Sequence, residues 1–245
     1  MLKRLAMLSI IVPTLNEEKA LGDTLQRLRN LRSFEHEIIV SDSGSTDRTM
    51  EIARRGADRV VRYEDLPRNA ARGRNEGAKV AKGNFLVFLD ADVSIVNVEV
   101  FFAKALAAFA NDPGLVGIVP RIRIDADHRT RGDRVSYVFV NLIMLVLNNV
   151  LHIGGGSGEL QMVRADAFRN IGRYAEHLFI GQDNDLFARL TKLGKTRLIA
   201  DLWVEHPGRR ARAVGWLRLW REWVMNWVSV KFRGRPWLRE WPPIR

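Results

Sequence analysis

The sequence predicts an α/β protein built on a doubly wound, mostly parallel sheet, and three observations lead to this fold class. Short apolar runs recur along the first half of the chain, at residues 8–12, 37–41, 59–62, 85–89 and 115–119. Helical patterns separate them, at about residues 18–31, 46–55, 70–81 and 98–109. The run 85–89 has no polar residue, which is typical of a fully buried parallel strand. Such alternation indicates right-handed crossovers with helices flanking the sheet.

The composition is that of a globular protein. The chain has 245 residues, 47% of them apolar and 27% charged, enough for one large domain or two small ones. It has no cysteine, which excludes disulfides and thiolate metal sites and fits a reducing compartment. The N-terminus lacks the separate apolar region and cleavage site of a signal peptide, so residues 8–12 are interpreted as a first strand.

The ends of the predicted strands carry the polar residues that a packed core does not need. Ligands of doubly wound sheets bind beyond the carboxyl ends of the strands. The segments at those ends are "VPTLNEE", "SDSGSTDRT", "RNAARGRNEG" and "DADV". Acids, amides and glycines converging on one edge of a sheet indicate a binding site there.

Asp90 and Asp92 follow the buried run 85–89 directly. Carboxylates are costly to desolvate unless a positive group meets them, although a turn or a helix cap would also explain an aspartate here. Side chains of an extended segment repeat every two residues, so both point to the same side. A second "DAD", at residues 125–127, follows no predicted strand and lies among arginines, so we interpret it as neutralised charge and not as a metal site.

Four motifs in order resemble the family-2 glycosyltransferases of GT-A fold: "SIIVPTLNEE", "SDSGSTDRT", "GRNEGAKVAKGNFLVFLDADV" and "GQDNDLFARL". The resemblance runs from about residue 9 to residue 206. It implies an inverting enzyme that moves a sugar from a UDP- or GDP-linked donor to an acceptor. Negative charge grows on the leaving diphosphate, and a divalent cation stabilises it; carboxylate oxygens suit Mg²⁺ or Mn²⁺.

The resemblance also implies roles for individual residues. Asp92 and His206 would bind the metal, although a lone histidine before proline is otherwise a loop residue. Asp42 would accept a hydrogen bond from a pyrimidine base, although "DSGS" forms an Asx-type turn in any case. Arg74 would meet a phosphate or the base edge, with a solvated helix start as the alternative. The implied donor-binding residues are Pro13, Leu15, Asn16, Glu17, Asp42, Ser45, Arg74, Asn75, Asp90 and Ala91.

The acceptor side needs a base if a hydroxyl group attacks. Asp183 matches the family's aspartate, with a helix N-cap as the alternative role. Gln182 stands where the family usually has glutamate, which puts the role of that carboxylate in doubt. Gly156 and Ser157, in the "GGGSG" segment, are also assigned to the acceptor side. Asp185 is interpreted as charge complementing the dipole of the helix.

Residues 1–207 are expected to form the glycosyltransferase domain, with a nucleotide-sugar half at 1–120 and an acceptor half at 121–207. Residues 159–163 and 196–200 are predicted strands. Residues 135–153 are the most apolar stretch but are too short and polar for a membrane span. We expect a helix buried on most sides, in preference to one lying in a membrane surface.

Residues 208–245 form a basic tail with ten arginines and lysines against two glutamates, a net +8 of the chain's +11. Trp216, Trp220, Trp223 and Trp227 lie on one stripe of a helix. This tryptophan stripe could pack on the domain, but the excess basic charge favours an interfacial helix on an anionic membrane. The expected location is therefore cytoplasmic, peripheral at the inner face of the membrane. The expected acceptor is lipid-linked, such as a polyprenyl phosphate, or a cell-envelope glycan.

Two other classes of function compete. Gln182 makes a sugar-nucleotide-binding protein without turnover conceivable. A basic nucleic-acid-binding domain would also explain the tail. No nucleic-acid partner is expected, because no recognition motif accompanies the tail and the acidic strand ends would repel phosphates.

Overall fold

The structure is a computed structural model that describes residues 6–127 and 129–238. Within these residues seven strands form one sheet, and their bounds are β1 (Leu8–Thr14), β2 (His36–Asp42), β3 (Arg59–Arg62), β4 (Phe85–Leu89), β5 (Leu115–Ile124), β6 (Leu160–Arg164) and β7 (Lys195–His206). Their spatial order is β3-β2-β1-β4-β6-β5-β7. The predicted α/β class with a mostly parallel sheet is confirmed.

Helices cover both faces of this sheet. Those of the described residues are α1 (Leu21–Leu28), α2 (Thr49–Gly56), α3 (Ala70–Val80), α4 (Val98–Asn111), α5 (Arg131–Leu145), α6 (Ala165–Asn170), α7 (Gln182–Leu190), α8 (Arg209–Val214) and α9 (Trp216–Arg233). Adjacent β1 residues point to opposite faces: Ile10 packs in the layer of α1, α4 and α5, and Ile11 in the layer of α3, α6 and α7. The sheet is therefore buried between two apolar layers.

Strand β6 runs against its neighbours. It pairs antiparallel with both β4 and β5, whereas β1 pairs parallel with β2 and β4. Leu160, at its start, lies opposite Leu89, at the end of β4, and the Asp90 N–H donates to the Glu159 carbonyl over 3.1 Å. The reversed direction therefore brings the start of β6 to the edge where β1, β2 and β4 end.

Strands β5 and β7 are longer than predicted and stay paired to Ile124 and His206. A β-bulge between Pro120 and Arg121 interrupts the ladder, and because of this irregularity the second half of β5 was not predicted from the sequence.

The premise that the second "DAD" follows no strand is wrong. Asp125 comes directly after β5, and its N–H donates to the His206 carbonyl over 3.2 Å.

The long apolar segment forms α5, which a π-helical turn at Val146–Val150 continues. Its outer face exposes Val138, Phe139 and Leu142, so the expectation of a helix buried on most sides is wrong for this face. The inner face is attached to the sheet through Asn141, whose side-chain amide donates to and accepts from the backbone of residue 122 at 2.8 and 2.9 Å. Hydrophobicity predicted the helix, but it did not predict which face packs on the sheet and which is exposed to solvent.

Helix α9 packs on α5 through the tryptophan stripe, the alternative that the sequence left open. Trp216 donates from Nε1 to Asp133 Oδ1 over 2.7 Å, and Trp220 and Trp223 meet edge to face with ring centroids 5.5 Å apart. Trp227 remains exposed. Residues 239–245 of the tail, including Trp241, lie outside the described residues. Among the helices described, none combines the length and apolar character that crossing a membrane requires.

Asp133 stabilises two elements at once, and removing it should cost stability. It completes a capping box with Thr130 at the start of α5 and accepts the hydrogen bond of Trp216. We expect Asp133→Ala to lower the free energy of unfolding by about 2 kcal/mol, the sum of a lost cap and a lost buried hydrogen bond. Urea unfolding measures this loss. The control is Asp23→Ala, an exposed first-turn aspartate of α1, which should change stability little.

Candidate functional site

A cavity of about 840 Å³ opens at the edge of the sheet where β1, β2 and β4 end. It brings together most of the residues that the sequence singled out, which are Pro13, Leu15, Glu17, Arg74, Asp90, Ala91, Asp92, Gly156, Ser157, Gln182, Asp183 and His206. The other residues that the sequence singled out do not line it; they are Asn16, Asp42, Ser45 and Asn75. The strand-end rule therefore predicted the position of the cavity.

The guanidinium of Arg74 organises one wall of the cavity. Its side chain is 1% exposed, and it donates from Nη1 to Asp183 Oδ1 over 2.7 Å and from Nη2 to Asp90 Oδ1 over 2.9 Å. Nη2 also donates to the Gly158 carbonyl over 2.8 Å. Burial by itself lowers the pKa of Arg74, but Asp183 and Asp90 outweigh it and raise that pKa, so the group stays charged. Arg74 thus holds two carboxylates at fixed positions.

Asp183 lies in the first turn of α7 and does not cap it. The residue at the N-cap is Gly181, whose φ of 80° a glycine adopts readily. Asp183 accepts at Oδ1 from Arg74 and, over 2.8 Å, from Gln161 Nε2. None of the described residues donates to its Oδ2. One oxygen of Asp183 is therefore fixed by the protein, and the other remains for a ligand in the cavity.

The cavity wall carries more negative than positive charge at the end of β4. Burial raises the pKa of Asp90 to about 7, with Asp92 adding to this effect and Arg74 opposing it. Burial likewise raises the pKa of Glu159 to about 7, with Asp183 and Asp92 contributing. Carboxyl groups that resist ionisation near neutral pH indicate that a positive group bound in the cavity would be stabilised.

Arg209, at the start of α8, binds the carboxylate that was predicted to hold the metal. Its guanidinium lies 2.5 Å from Asp92 Oδ2 and 3.0 Å from Glu17 Oε2. Burial lowers the pKa of Arg209, but Asp92 and Glu17 raise it further than burial lowers it. The arginine therefore neutralises Asp92 and links the end of β4 to the loop after β1.

His206, at the end of β7, is buried beside the same carboxylates. Its ring stacks edge to face on Tyr137 with centroids 5.2 Å apart, and its Nε2 lies 3.9 Å from Glu159 Oε1. Nε2 has no hydrogen-bond partner among the described residues. Burial lowers the pKa of His206, while Asp92 opposes this, so the neutral ring is favoured. Its Nδ1 accepts from the Gly208 N–H over 3.2 Å, which places the ring proton on Nε2.

Asp92 and His206 carry groups that bind divalent cations, a carboxylate and a buried imidazole without a partner at Nε2. Because Nδ1 accepts from Gly208, Nε2 would have to give up its proton before it could bind a cation. Within the described part of the chain, no group of three or more histidine, cysteine or acidic side chains is arranged to hold a metal ion. Arg209 occupies Asp92 Oδ2. The residues fit a cation, and the guanidinium of Arg209 competes with it for this oxygen.

The polar residues after β2 form a turn. Asp42 accepts at Oδ1 from the N–H groups of Gly44 and Ser45, and at Oδ2 from the hydroxyls of Thr14 and Ser45. Asn16 joins this turn to β1, since its N–H donates to Ser45 Oγ over 2.8 Å. The Asx-type turn is therefore present, and a contact of Asp42 with a base stays a prediction.

Asn75 fastens a loop to α3. Its amide donates to the Tyr174 carbonyl over 3.0 Å and to Glu176 over 2.8 Å, and its oxygen accepts from the Tyr174 N–H over 3.1 Å. Tyr174 in turn packs beneath Arg74 and donates to Gln161. Asn75 therefore helps to position Tyr174, which contacts Arg74. A direct contact of Asn75 with a nucleotide-sugar donor stays a prediction.

The glycine-rich segment approaches α7 closely on the acceptor side. A Cβ on Gly156 would lie 2.4 Å from the Asp183 carbonyl oxygen, so only glycine fits there. The Ser157 hydroxyl and the Gln182 side-chain oxygen are both buried without a hydrogen-bond partner among the described residues. Buried unpaired polar atoms beside the cavity are available to a ligand.

Comparison with known proteins identifies the family. Residues 9–172 match the model of glycosyl transferase family 2. The chain belongs to this family. It is 32% identical over 148 residues to chondroitin synthase of Escherichia coli, an alignment that covers 58% of this chain and 21% of that protein. The curated relatives are longer: the aligned parts span 20% to 42% of their lengths.

Solved structures show the same GT-A fold in other glycosyltransferases. A mannosyltransferase from Pyrobaculum calidifontis, in complex with GDP-Man and Mn²⁺, matches with a TM-score of 0.67 and 18% identity, covering 92% of this chain and 62% of that one. Glucosyl-3-phosphoglycerate synthase from Mycobacterium tuberculosis, in complex with Mn²⁺, UDP and phosphoglyceric acid, matches with a TM-score of 0.64 and 22% identity, covering 93% and 79%. At this identity the likeness concerns the fold.

Several residues of this candidate site were not predicted from the sequence, among them Gln161, Gly158, Glu159 and Arg209. Glu159 and Gly158 precede a strand whose reversed direction is set by long-range pairing. Arg209 lies in the basic "GRRAR" segment, three residues after His206, and was counted only as tail charge. Its position next to a candidate ligand was the available signal.

The Arg74 cluster predicts a large and specific loss of stability. Arg74→Met leaves the mostly buried Asp183 and the partly exposed Asp90 without their partner, which should lower the free energy of unfolding by about 3 kcal/mol. Adding Asp90→Asn and Asp183→Asn should recover part of this loss, because the two charges are then removed as well. Urea unfolding of the single and triple variants measures the recovery.

Arg72→Met is the matched control, because Arg72 lies on the same helix and makes its ion pairs with Asp65 and Glu76 outside the cluster. It should lower stability by less than about 1 kcal/mol. Equal losses for Arg72→Met and Arg74→Met would contradict the central role of Arg74.

The competition at Asp92 predicts a gain of metal affinity. In Arg209→Gln no guanidinium competes for Asp92, so we expect Mn²⁺ to bind about tenfold more tightly, as calorimetry or electron paramagnetic resonance would show. Arg218→Gln serves as control, since Arg218 pairs with Glu222 on α9, away from the cavity. An unchanged Mn²⁺ affinity in Arg209→Gln would show that the ion pair does not oppose the cation.

Proposed function

We propose that this chain is an inverting glycosyltransferase that moves a sugar from a UDP- or GDP-linked donor to an acceptor, with Asp183 as the base. The main support for this proposal is that Arg74 forms ion pairs with both Asp90 and Asp183. They hold Asp183 and Asp90 in one cavity, so a candidate base faces the strand end that the family uses for its donor. The nucleotides named in the structures of similar fold support the choice of donor.

The proposed reaction is a single displacement. The acceptor oxygen forms a bond to the anomeric carbon while the bond from that carbon to the diphosphate oxygen breaks, and the electron pair leaves with the diphosphate. Asp183 takes the proton of an attacking hydroxyl at Oδ2, the oxygen that Arg74 and Gln161 leave available. Arg74 and Gln161 fix the carboxylate in position and limit its rotation.

The donor would bind along the ends of β1 and β4. Pro13, Leu15 and Asp90 line this part of the cavity, and Tyr63 closes it from the side of β3. A Mg²⁺ or Mn²⁺ ion held by Asp92 and His206 would stabilise charge on the leaving diphosphate. Arg209, which pairs with Asp92 and Glu17, would be able to pair with the diphosphate if a cation took its place on Asp92.

The acceptor is proposed to be lipid-linked, at the cytoplasmic face of a membrane. The exposed apolar faces of α5 and α9, together with the basic tail, support peripheral binding to an anionic surface. A polyprenyl phosphate, a lipid-linked sugar and a cell-envelope glycan all fit this location. A phosphate acceptor is already ionised, so it would depend less on Asp183 than a hydroxyl acceptor.

Calorimetry with nucleoside diphosphates and their sugars, with and without Mn²⁺, tests this function. We expect one nucleotide to bind in a metal-dependent way, and Asp92→Ala to weaken that binding at least about tenfold, because a ligand of the cation is lost. Asp183→Asn should bind the nucleotide like the wild type. With a hydroxyl acceptor it should lose transfer by roughly a hundredfold or more, since the base is removed.

The control for Asp92→Ala is Asp127→Ala, which alters the second aspartate of the other "DAD" at an exposed position outside the cavity. It should leave nucleotide binding unchanged. Binding without hydrolysis or transfer to any acceptor would favour the non-catalytic alternative. Absence of nucleotide binding in the presence of Mn²⁺ would overturn the proposal.

A further inference from the structure

The cavity does not end at the catalytic carboxylates but continues between two helices. One side of this extension is formed by Val140, Ile143 and Leu147, on α5 and the π-helical turn. The other side is formed by Trp223, Val224 and Trp227 on α9. These six residues define the α5–α9 groove. Because the same cavity is lined by Asp183 and His206, the groove is continuous with the proposed reaction site.

The groove is apolar and open to solvent. Ile143 is 41% exposed and Val224 is 53% exposed, although other residues of the same two helices pack in the core. Apolar surface of this kind is unfavourable in water, and it marks a binding site when it is concave. A nucleoside diphosphate sugar carries charges and hydroxyl groups along its length, so it does not match these side chains. The occupant that fits is an apolar chain.

Charge at the junction of the groove and the polar cavity selects an occupant with an anionic head. Arg209 and Arg210 line the same cavity as these apolar side chains. Arg209 pairs with Asp92, and Arg210 lies within the electrostatic reach of Glu222. Both arginines belong to the basic segment 208–245, whose sequence carries a net charge of +8. A phosphate head group would be attracted to this junction, while its chain would be excluded from the carboxylates and taken up by the groove.

We infer that the α5–α9 groove holds the aliphatic chain of the acceptor, with an anionic head group placed beside Arg210 and facing Asp183. This inference rests on the proposed function, which it extends by assigning the place where the lipid chain and its anionic head group bind. The chain runs away from the reaction site between the two helices.

Farnesyl phosphate in solution, without detergent or vesicles, is the probe that tests the groove. Calorimetry and quenching of tryptophan fluorescence both report its binding, since Trp223 and Trp227 form the groove wall. We expect farnesyl phosphate to bind at least about tenfold more tightly than isopentenyl phosphate, because each buried methylene adds affinity. Equal affinity for the two would overturn the inference, since only the phosphate would then be recognised.

Paired substitutions separate the groove from the rest of the apolar surface. Ile143→Asp and Val224→Asp place a charge in the groove and should weaken farnesyl phosphate binding at least about tenfold. Val138→Asp and Met225→Asp alter residues on the same helices that are 65% and 40% exposed but do not line the cavity. These two controls should bind the probe like the wild type. Equal weakening in all four variants would overturn the inference and point to a general apolar docking face for a bilayer or a second copy.

Nucleotide binding, measured on the same four variants, keeps the two proposals apart. It should be unchanged in all of them, which also shows that each variant is folded. If the wild type binds a nucleotide but shows no preference for the longer chain, the groove inference fails and the proposed function stands. If it prefers the longer chain but binds no nucleotide, the proposed function fails and the groove remains a lipid site.

Discussion

The buried guanidinium of Arg74 is the interaction on which the site depends. A charge this deep is strongly destabilising unless carboxylates reach it with good geometry. The chain supplies them from two distant segments: Asp90 lies 16 residues after Arg74, and Asp183 lies 109 residues after it. The Gly158 carbonyl accepts a further hydrogen bond from the guanidinium. Helix α3, the end of β4, the start of β6 and helix α7 must therefore meet at one point for the domain to be stable.

Around Arg74 the acidic side chains outnumber the basic ones. Arg74 offsets Asp90 and Asp183, and Arg209 offsets Asp92, yet the partly exposed Glu159 lies near them with its pKa raised to about 7. The protein does not neutralise the wall completely with its own side chains. A site of this kind favours a cation together with an anionic ligand, because the cation stabilises the wall and the ligand balances the cation. Stability and ligand preference thus have the same electrostatic cause.

Local pattern predicted the fold and the location of the site. The apolar run before Asp90 and the polar strand ends are features of neighbouring residues, so the sequence shows them directly. The direction of β6 depends on pairing with β4 and β5, which no local pattern encodes, and Glu159 was missed for that reason. The Arg209–Asp92 contact joins residues 117 positions apart and was missed for the same reason.

The apolar helix α5 shows a second limit of the sequence. Its side chains are hydrophobic on both faces, and hydrophobicity does not distinguish a face that meets the sheet from one that meets solvent. Asn141 did carry information, because an amide on the inner face must find backbone partners, and it finds them on β5. The tryptophan stripe was ambiguous in the same way: amphipathic rings suit a membrane surface and a protein surface equally.

The C-terminal helices contribute to both ends of the cavity through separate contacts. Helix α8 carries Arg209 to the polar end, and α9 carries the tryptophans to the apolar end. Gly215, with a φ of 78° and open space where a Cβ would lie, separates the two helices. Trp216 is fixed to Asp133, whereas Arg209 is held by Asp92 and Glu17. The polar and the apolar end of the cavity are therefore anchored by different interactions, ion pairs at Arg209 and a tryptophan hydrogen bond at Trp216.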